Sequence, residues 1–219
     1  MVRMLSPASP PSKEDWDRLD ARVARTDEDR WISSRYAALE ARRSLIALYA
    51  LNVELARVRL AVSEPTIGAI RFQWWRDAIE EIRAGGPVRK HDVVQAIASK
   101  VAQNAYSPDA LDRLIDRHED AFEAGDRSLE PEAHLMALAA SIFAPAHGWG
   151  RHIQALAPAY GALRRGDSRE FGPILPRVPS EIRPAIVHAR LRHLYSHGRQ
   201  PGRMARRWLV LRAMVSGRV

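Results

Sequence analysis

The stretch ALYALNVELARVRLAVSEP, residues 47–65, decides how the rest of the chain is read. Apolar residues recur here at three- and four-residue intervals, so Leu45, Leu48, Asn52, Leu55 and Arg59 share one face of a helix over 41–60. An amide inside an apolar stripe is either a buried polar group tied to a neighbouring helix or part of a cavity wall. Two arginines, Arg57 and Arg59, stand near the helix end.

The same period continues outward in both directions. Helices are expected over 14–25, 31–39, 41–60, 67–84, 91–104, 108–122, 132–143, 151–164, 182–195 and 203–215, and no alternating strand pattern interrupts them. The chain is therefore expected to be all-α. In TIGAIRFQWWRDAIEEI, residues 66–82, Ile70, Trp74, Ala78 and Ile82 fall on one line with Trp75 and Ile79 beside it, the pattern of an aromatic core helix. Arg71, Gln73, Arg76 and Asp77 flank that line and face either water or a shared cavity. Gly85-Gly86-Pro87 ends one helix and opens the next, and Ser107-Pro108-Asp109 is a second start signal. The segment RRGDSREFGPILPRVPS, residues 164–180, reads as a long loop or as a boundary before a basic tail.

Composition excludes several chemistries. The 219 residues, 46% of them apolar, are enough for a sizeable core, and the absence of cysteine removes disulfides, thiolate zinc sites and cysteine nucleophiles. No apolar run reaches the length of about 18 residues that a membrane span needs, and the start carries no signal-peptide pattern, so a soluble, cytoplasmic protein is expected. Glu54, Glu64, Asp77 and Asp120 are acids on amphipathic helices, with no spacing that makes any two of them a catalytic pair. His193 and His197 alone have helical ligand spacing, and no acid supports them.

The net charge of +8 is lopsided. From residue 181 onward there are nine arginines and one acid, so the tail carries all of the excess and the body is neutral. That distribution, without a recognised binding motif, argues against nucleic acid as a partner. In RMARRWLVLRAMV, residues 203–215, Met204, Trp208, Leu211 and Val215 form one apolar line, and Arg203, Arg206, Arg207 and Arg212 occupy most of the rest. Such a helix either lies on an anionic membrane or partner surface, or docks its apolar line on the core and leaves its arginines in water.

The run from Asp29 to Ile82 resembles the squalene/phytoene synthase family. ALNVELARVRLAVSEPTIG resembles most its non-catalytic branch, which contains the complex I assembly factors. The likeness continues more weakly through 87–97, 114–122 and 148–176. The resemblance implies an isoprenoid-synthase-type helical bundle, shortened at its C-terminal end. Active members carry Asp-Asp-x-x-Asp on this helix, where the outer aspartates hold magnesium against a prenyl diphosphate. Here the motif falls on Ala56, Arg57, Val58, Arg59 and Leu60. A second aspartate-rich motif before Leu175-Pro176 is replaced by a segment with Arg164, Arg165 and a single displaced Asp167, read as a solvated turn residue.

These readings set the expectations: a tail and short helix over 1–28, a synthase-like helical domain over 29–176, and basic helices over 177–219 packed on that domain. The implied function is a non-catalytic binding or assembly factor, with respiratory complex I subunits as partners and a peripheral position on the inner membrane. The alternative is a prenyl transferase or an isoprenoid-binding protein. No catalytic residue, metal ligand or cofactor is expected, magnesium entering only with the enzyme alternative. The residues expected to line a cavity or ligand site are Asn52, Glu54, Ala56, Arg57, Arg59, Arg71, Gln73, Arg76 and Asp77. Those expected at a membrane or partner surface are Arg203, Arg206, Arg207, Trp208 and Arg212.

Overall fold

The computed structural model describes residues 10–62, 64–129, 131–168, 170–197 and 202–219. Among them there is no strand, in keeping with the all-α expectation. The α-helices are α1 (Lys13–Thr26), α2 (Glu28–Ser34), α3 (Leu39–Ala61), α4 (Pro65–Arg83), α5 (Asp92–Val101), α6 (Pro108–Glu123), α7 (Glu132–Ser141), α8 (Gly150–Arg165), α9 (Arg183–Ile186), α10 (Arg192–Tyr195) and α11 (Arg203–Ser216). The chain divides into two compact units. One comprises the described residues of Met1–Thr26 and Ile46–Glu130, the other those of Asp27–Leu45 and Pro131–Val219.

Helix α3 is the deepest element. Every residue from Leu45 to Leu51 is buried, which is how a helix apolar on all sides must sit. In the first unit its continuation through Leu55 and Val58 shares a core with Leu19 and Val23 of α1, Phe72 and Ile79 of α4, Val93 and Ile97 of α5, and Leu111 and Leu114 of α6. Helices α4 and α6 lie close together because Gly68 has no side chain. A Cβ there would overlap the Phe122 ring, which in turn meets Phe72 edge-on at 5.8 Å. Helix α6 starts where Ser107-Pro108 announces it, the Ser107 hydroxyl accepting from the Ala110 N–H at 3.3 Å.

The buried face of α4 is rotated from the expected line. Gly68, Phe72, Trp75, Ala78, Ile79 and Ile82 are buried, whereas Ile70 and Trp74 are 65% and 37% exposed. The close approach at Gly68 turns Phe72 inward. Trp74 is then covered only in part, by Trp75 and His91 edges and by the Arg89 guanidinium, 4.5 Å from its ring centre.

In the second unit α7 packs on α8, α2 on α9, and α11 on the 3-10 turn Val187–Leu191. Helix α2 begins earlier than the expected 31–39 because the Asp27 side chain caps it, accepting from the Arg30 N–H. The expected single helix over 182–195 is a succession of short turns, Ser180–Ile182, α9, Val187–Leu191 and α10. At its start Arg183 donates to the Val178, Met214 and Val215 carbonyls, placing a positive charge on the last turn of α11.

Candidate functional site

Two clusters of polar side chains stand out, one in each unit. The first is built on α3 at the positions where the resemblance places magnesium-binding carboxylates. Arg59 donates from Nε to His118 Nδ1 at 3.1 Å, and the other ring nitrogen of His118 lies 3.0 Å from Asn52 Oδ1. Because a guanidinium is only a donor, Nδ1 must accept, and the Nε2–H then donates to the amide oxygen. Asn52 is thus the polar tie between α3 and α6, the first of the two alternatives read from its stripe. One turn away Glu54 accepts from Arg57 at 2.9 Å and from Arg22 at 3.2 Å, and Arg22 also pairs with Asp92 at 2.5 Å. That set joins α1, α3 and α5.

The remaining residues named from the sequence are spread over α4. Arg76 reaches across to Asp116, at 2.9 Å, and Glu119 on α6, while Gln73 donates to Asp77 at 2.7 Å on an exposed face. Arg71 is exposed, Ala56 half-buried and Leu60 84% exposed. Asn52 and Arg59 therefore meet at His118, Glu54 and Arg57 meet each other, and Gln73 meets Asp77. Arg76 is joined to α6 instead.

The second cluster is buried and was not anticipated. Arg30, 2% exposed, pairs with Asp27 at 2.5 Å and with Glu132. Arg164 lies 3.1 Å from Asp27 and 3.9 Å from Asp29. The phenols of Tyr160 and Tyr195 both donate to Asp29 Oδ2, at 3.0 and 2.5 Å, and Arg206 pairs with Glu28 at 2.9 Å and with Asp29 at 3.5 Å. Helices α2, α7, α8, α10 and α11 each contribute a group.

Burial by itself would raise the Asp27 carboxyl, but the guanidinium groups of Arg164 and Arg30 outweigh it and hold the group well below the usual carboxylate range. Burial pushes both phenols up, Tyr160 with Asp29 adding to it and Tyr195 likewise. His188, buried against Tyr160, is pushed well below its ordinary value by burial and then by Arg30. Asp27 is held below and both phenols above their ordinary ranges, and His188 is held uncharged, so the arrangement suits a clamp between helices better than a proton relay. Its signal in sequence is faint: Asp29 is separated from Tyr160 and Tyr195 by 131 and 166 positions, beyond the reach of helical spacing.

The family model for squalene/phytoene synthase matches residues 23–137, more than half of the chain. The chain belongs to this family. Curated relatives include the rat protein "NADH dehydrogenase (ubiquinone) complex I, assembly factor 6", 35% identical over 97 residues, which are 44% of this chain and 29% of the relative. The human protein of the same name is 40% identical over 65 residues, 30% of this chain and 20% of its own length. The matched segments span less than a third of these relatives. No solved structure matches the chain.

Against the squalene/phytoene synthase pattern, the residues present do not suit a magnesium–diphosphate group. The three aspartate positions on α3 hold Ala56, Arg57 and Leu60, with Arg59 between them, and cationic groups repel a divalent cation. Among the described residues no group of three His, Cys, Asp or Glu side chains is placed to hold a metal ion. At the second motif Arg164 enters the buried cluster, and Arg165 donates to Asp167 at 2.6 Å, so Asp167 is an exposed turn residue with an arginine partner.

Helix α11 turns its apolar line away from the core. Its inner face is Val210 and Ala213, and the apolar line points outward, with Met204 76%, Trp208 61%, Leu211 38% and Val215 75% exposed. The helix docks, but by its small residues and through Arg206. Arg207 and Arg212 are exposed, as is Arg203, 3.7 Å from Glu28. No helix among the described residues is long and apolar enough to cross a membrane.

Proposed function

We propose that this chain is a non-catalytic member of the squalene/phytoene synthase family that serves as a binding or assembly factor for respiratory complex I, peripheral on the inner membrane. One observation carries the reading. In both aspartate-rich segments the carboxylates are replaced, and the arginines found there are engaged inside the chain, Arg57 with Glu54, Arg59 with His118 and Arg164 with Asp27. A helix that presented charge to a metal and diphosphate now uses that charge to hold its neighbours. The relatives named as complex I assembly factors support the choice of partner, and the outward apolar line of α11 with its arginines supports a membrane position.

Deleting the gene in its source organism and measuring assembled NADH dehydrogenase tests the role. Reduced complex I, restored by the wild-type chain, is the expected result, and unchanged complex I would remove the assembly reading.

A further inference from the structure

A surface cavity of about 490 Å³ lies beside α11, lined by Arg177, Arg190, Arg212 and Arg218 together with Trp208 and Leu211. Among the described residues no Asp or Glu side chain forms an ion pair with any of these four arginines, whereas Arg22, Arg57, Arg76, Arg89, Arg164 and Arg206 each have an acidic partner. Arg190 is half-buried, and burial, then Arg212 and Arg218, lower its proton affinity. Behind it Arg192 is buried and held by the Pro173 and Val219 carbonyls and by the Phe171 ring, 4.3 Å away, and burial followed by Arg190 brings it down to about 10. Cations crowded in this way repel one another until an anion joins them.

The missing anion has an apolar part. Trp208 and Leu211 open on the same cavity as the arginines, and Met204 and Val215 continue the line along the exposed side of α11. We propose that this cavity takes the phosphate headgroup of an anionic phospholipid while Trp208, Leu211 and Val215 enter the boundary of the acyl chains. The proposal rests on the peripheral-membrane part of the function proposed above and gives it a site. A free phosphate would engage the arginines and leave the apolar line in water; an acidic polypeptide would do the same. The combination of arginines at headgroup depth with tryptophan at the interface is the pattern of a lipid-facing helix.

The test is co-sedimentation of the whole chain with vesicles of phosphatidylcholine alone and of phosphatidylcholine mixed with phosphatidylglycerol. Binding is expected to the mixed vesicles and to fade as salt is raised. The double variant Arg212→Gln/Arg218→Gln, altered only at exposed positions, should bind about 25-fold more weakly, roughly fivefold for each arginine. Trp208→Ser should weaken binding while its melting temperature stays that of the wild type, which separates lipid contact from folding. Equal binding to both vesicle types, or binding indifferent to Trp208→Ser, overturns the proposal. So does displacement from vesicles by inorganic phosphate or polyglutamate with no dependence on Trp208, which would make the cavity a site for soluble anions or acidic protein. A chain that fails on vesicles yet is required for complex I assembly loses this site and keeps its proposed role; the opposite pair of results does the reverse.

Discussion

Asn52, His118 and Arg59 tie α3 to α6 through one histidine ring. Within the segment where the family has its aspartates, Arg59 turns to the His118 ring and leaves Asn52 as the other half of that ring's support. Arg59→Ala and Asn52→Ala should each cost about 1–3 kcal/mol in chemical denaturation, the penalty for a polar group left unpaired. The two effects should be non-additive in a double-mutant cycle, because both act on one ring. The buried cluster predicts a larger effect. Asp29→Asn should destabilise by about 3–5 kcal/mol, since two phenols lose a charged acceptor in a water-poor site while Arg164 and Arg206 keep only Asp27 and Glu28. Tyr160→Phe and Tyr195→Phe should each cost about 1.5–3 kcal/mol, as hydrogen bonds to a charged acceptor do. Denaturant midpoints of these variants decide whether Asp29 is the keystone described here. The polar tie at Asn52 was legible in the sequence because an amide broke an apolar stripe. The Asp29 cluster was not, because its members are ordinary charged residues whose meeting depends on the tertiary fold.

At the level of elements, the helical segments were legible and their faces only partly so. Periodicity places α3, α4, α6 and α11 close to their observed bounds, since a face buried over several turns leaves a repeat that survives without context. It misplaces the inner face of α4 because Gly68, which has no side chain to count, sets the contact with α6. For α11 it leaves two courses open for the apolar line, and in the fold the bulky residues point to solvent while Val210 and Ala213 pack inward. Val210→Ala should therefore lower stability by about 1–2 kcal/mol, whereas Met204→Ala and Val215→Ala should stay within about 0.5 kcal/mol. The opposite order in thermal melts would return the apolar line to the core. The end of α11 gives a second check. Gly217 has a φ of +69°, and a Cβ there would meet Val178 O and the Arg183 guanidinium at 2.9 Å, so Gly217→Ala should destabilise by about 1 kcal/mol or more.

For the molecule as a whole, the buried titratable groups of the second unit set a stability plateau. His188 takes up a proton near pH 6.5 when unfolded and resists it when folded, so its contribution is present above that pH and is lost as the pH falls. His193, brought down to about 4 by burial and neighbouring arginines, acts in the same direction. Asp27, held low, adds its loss below the range in which an unfolded aspartate protonates. Tyr160 and Tyr195 are raised, so their contribution is complete below pH 10 and is lost above it. Stability should be flat from about pH 7 to 10 and should fall on the acid side by up to about 1.4 kcal/mol per pH unit for each histidine. His188→Leu should reduce that acid slope, as read from denaturation midpoints across pH 7 to 5.

The family was legible because α3 and α4 keep the matched pattern, and the replacement of its aspartates was legible from the same residues. What took the place of the metal required the fold, since Arg59 and Arg164 have partners 59 and 137 positions away that only packing brings near. The central claim, that these arginines bind the chain to itself and leave no catalytic metal site, is met most directly by incubating the purified protein with farnesyl and geranylgeranyl diphosphates and magnesium. The account predicts no release of diphosphate and no coupled prenyl product. Magnesium-dependent turnover of either substrate would contradict it.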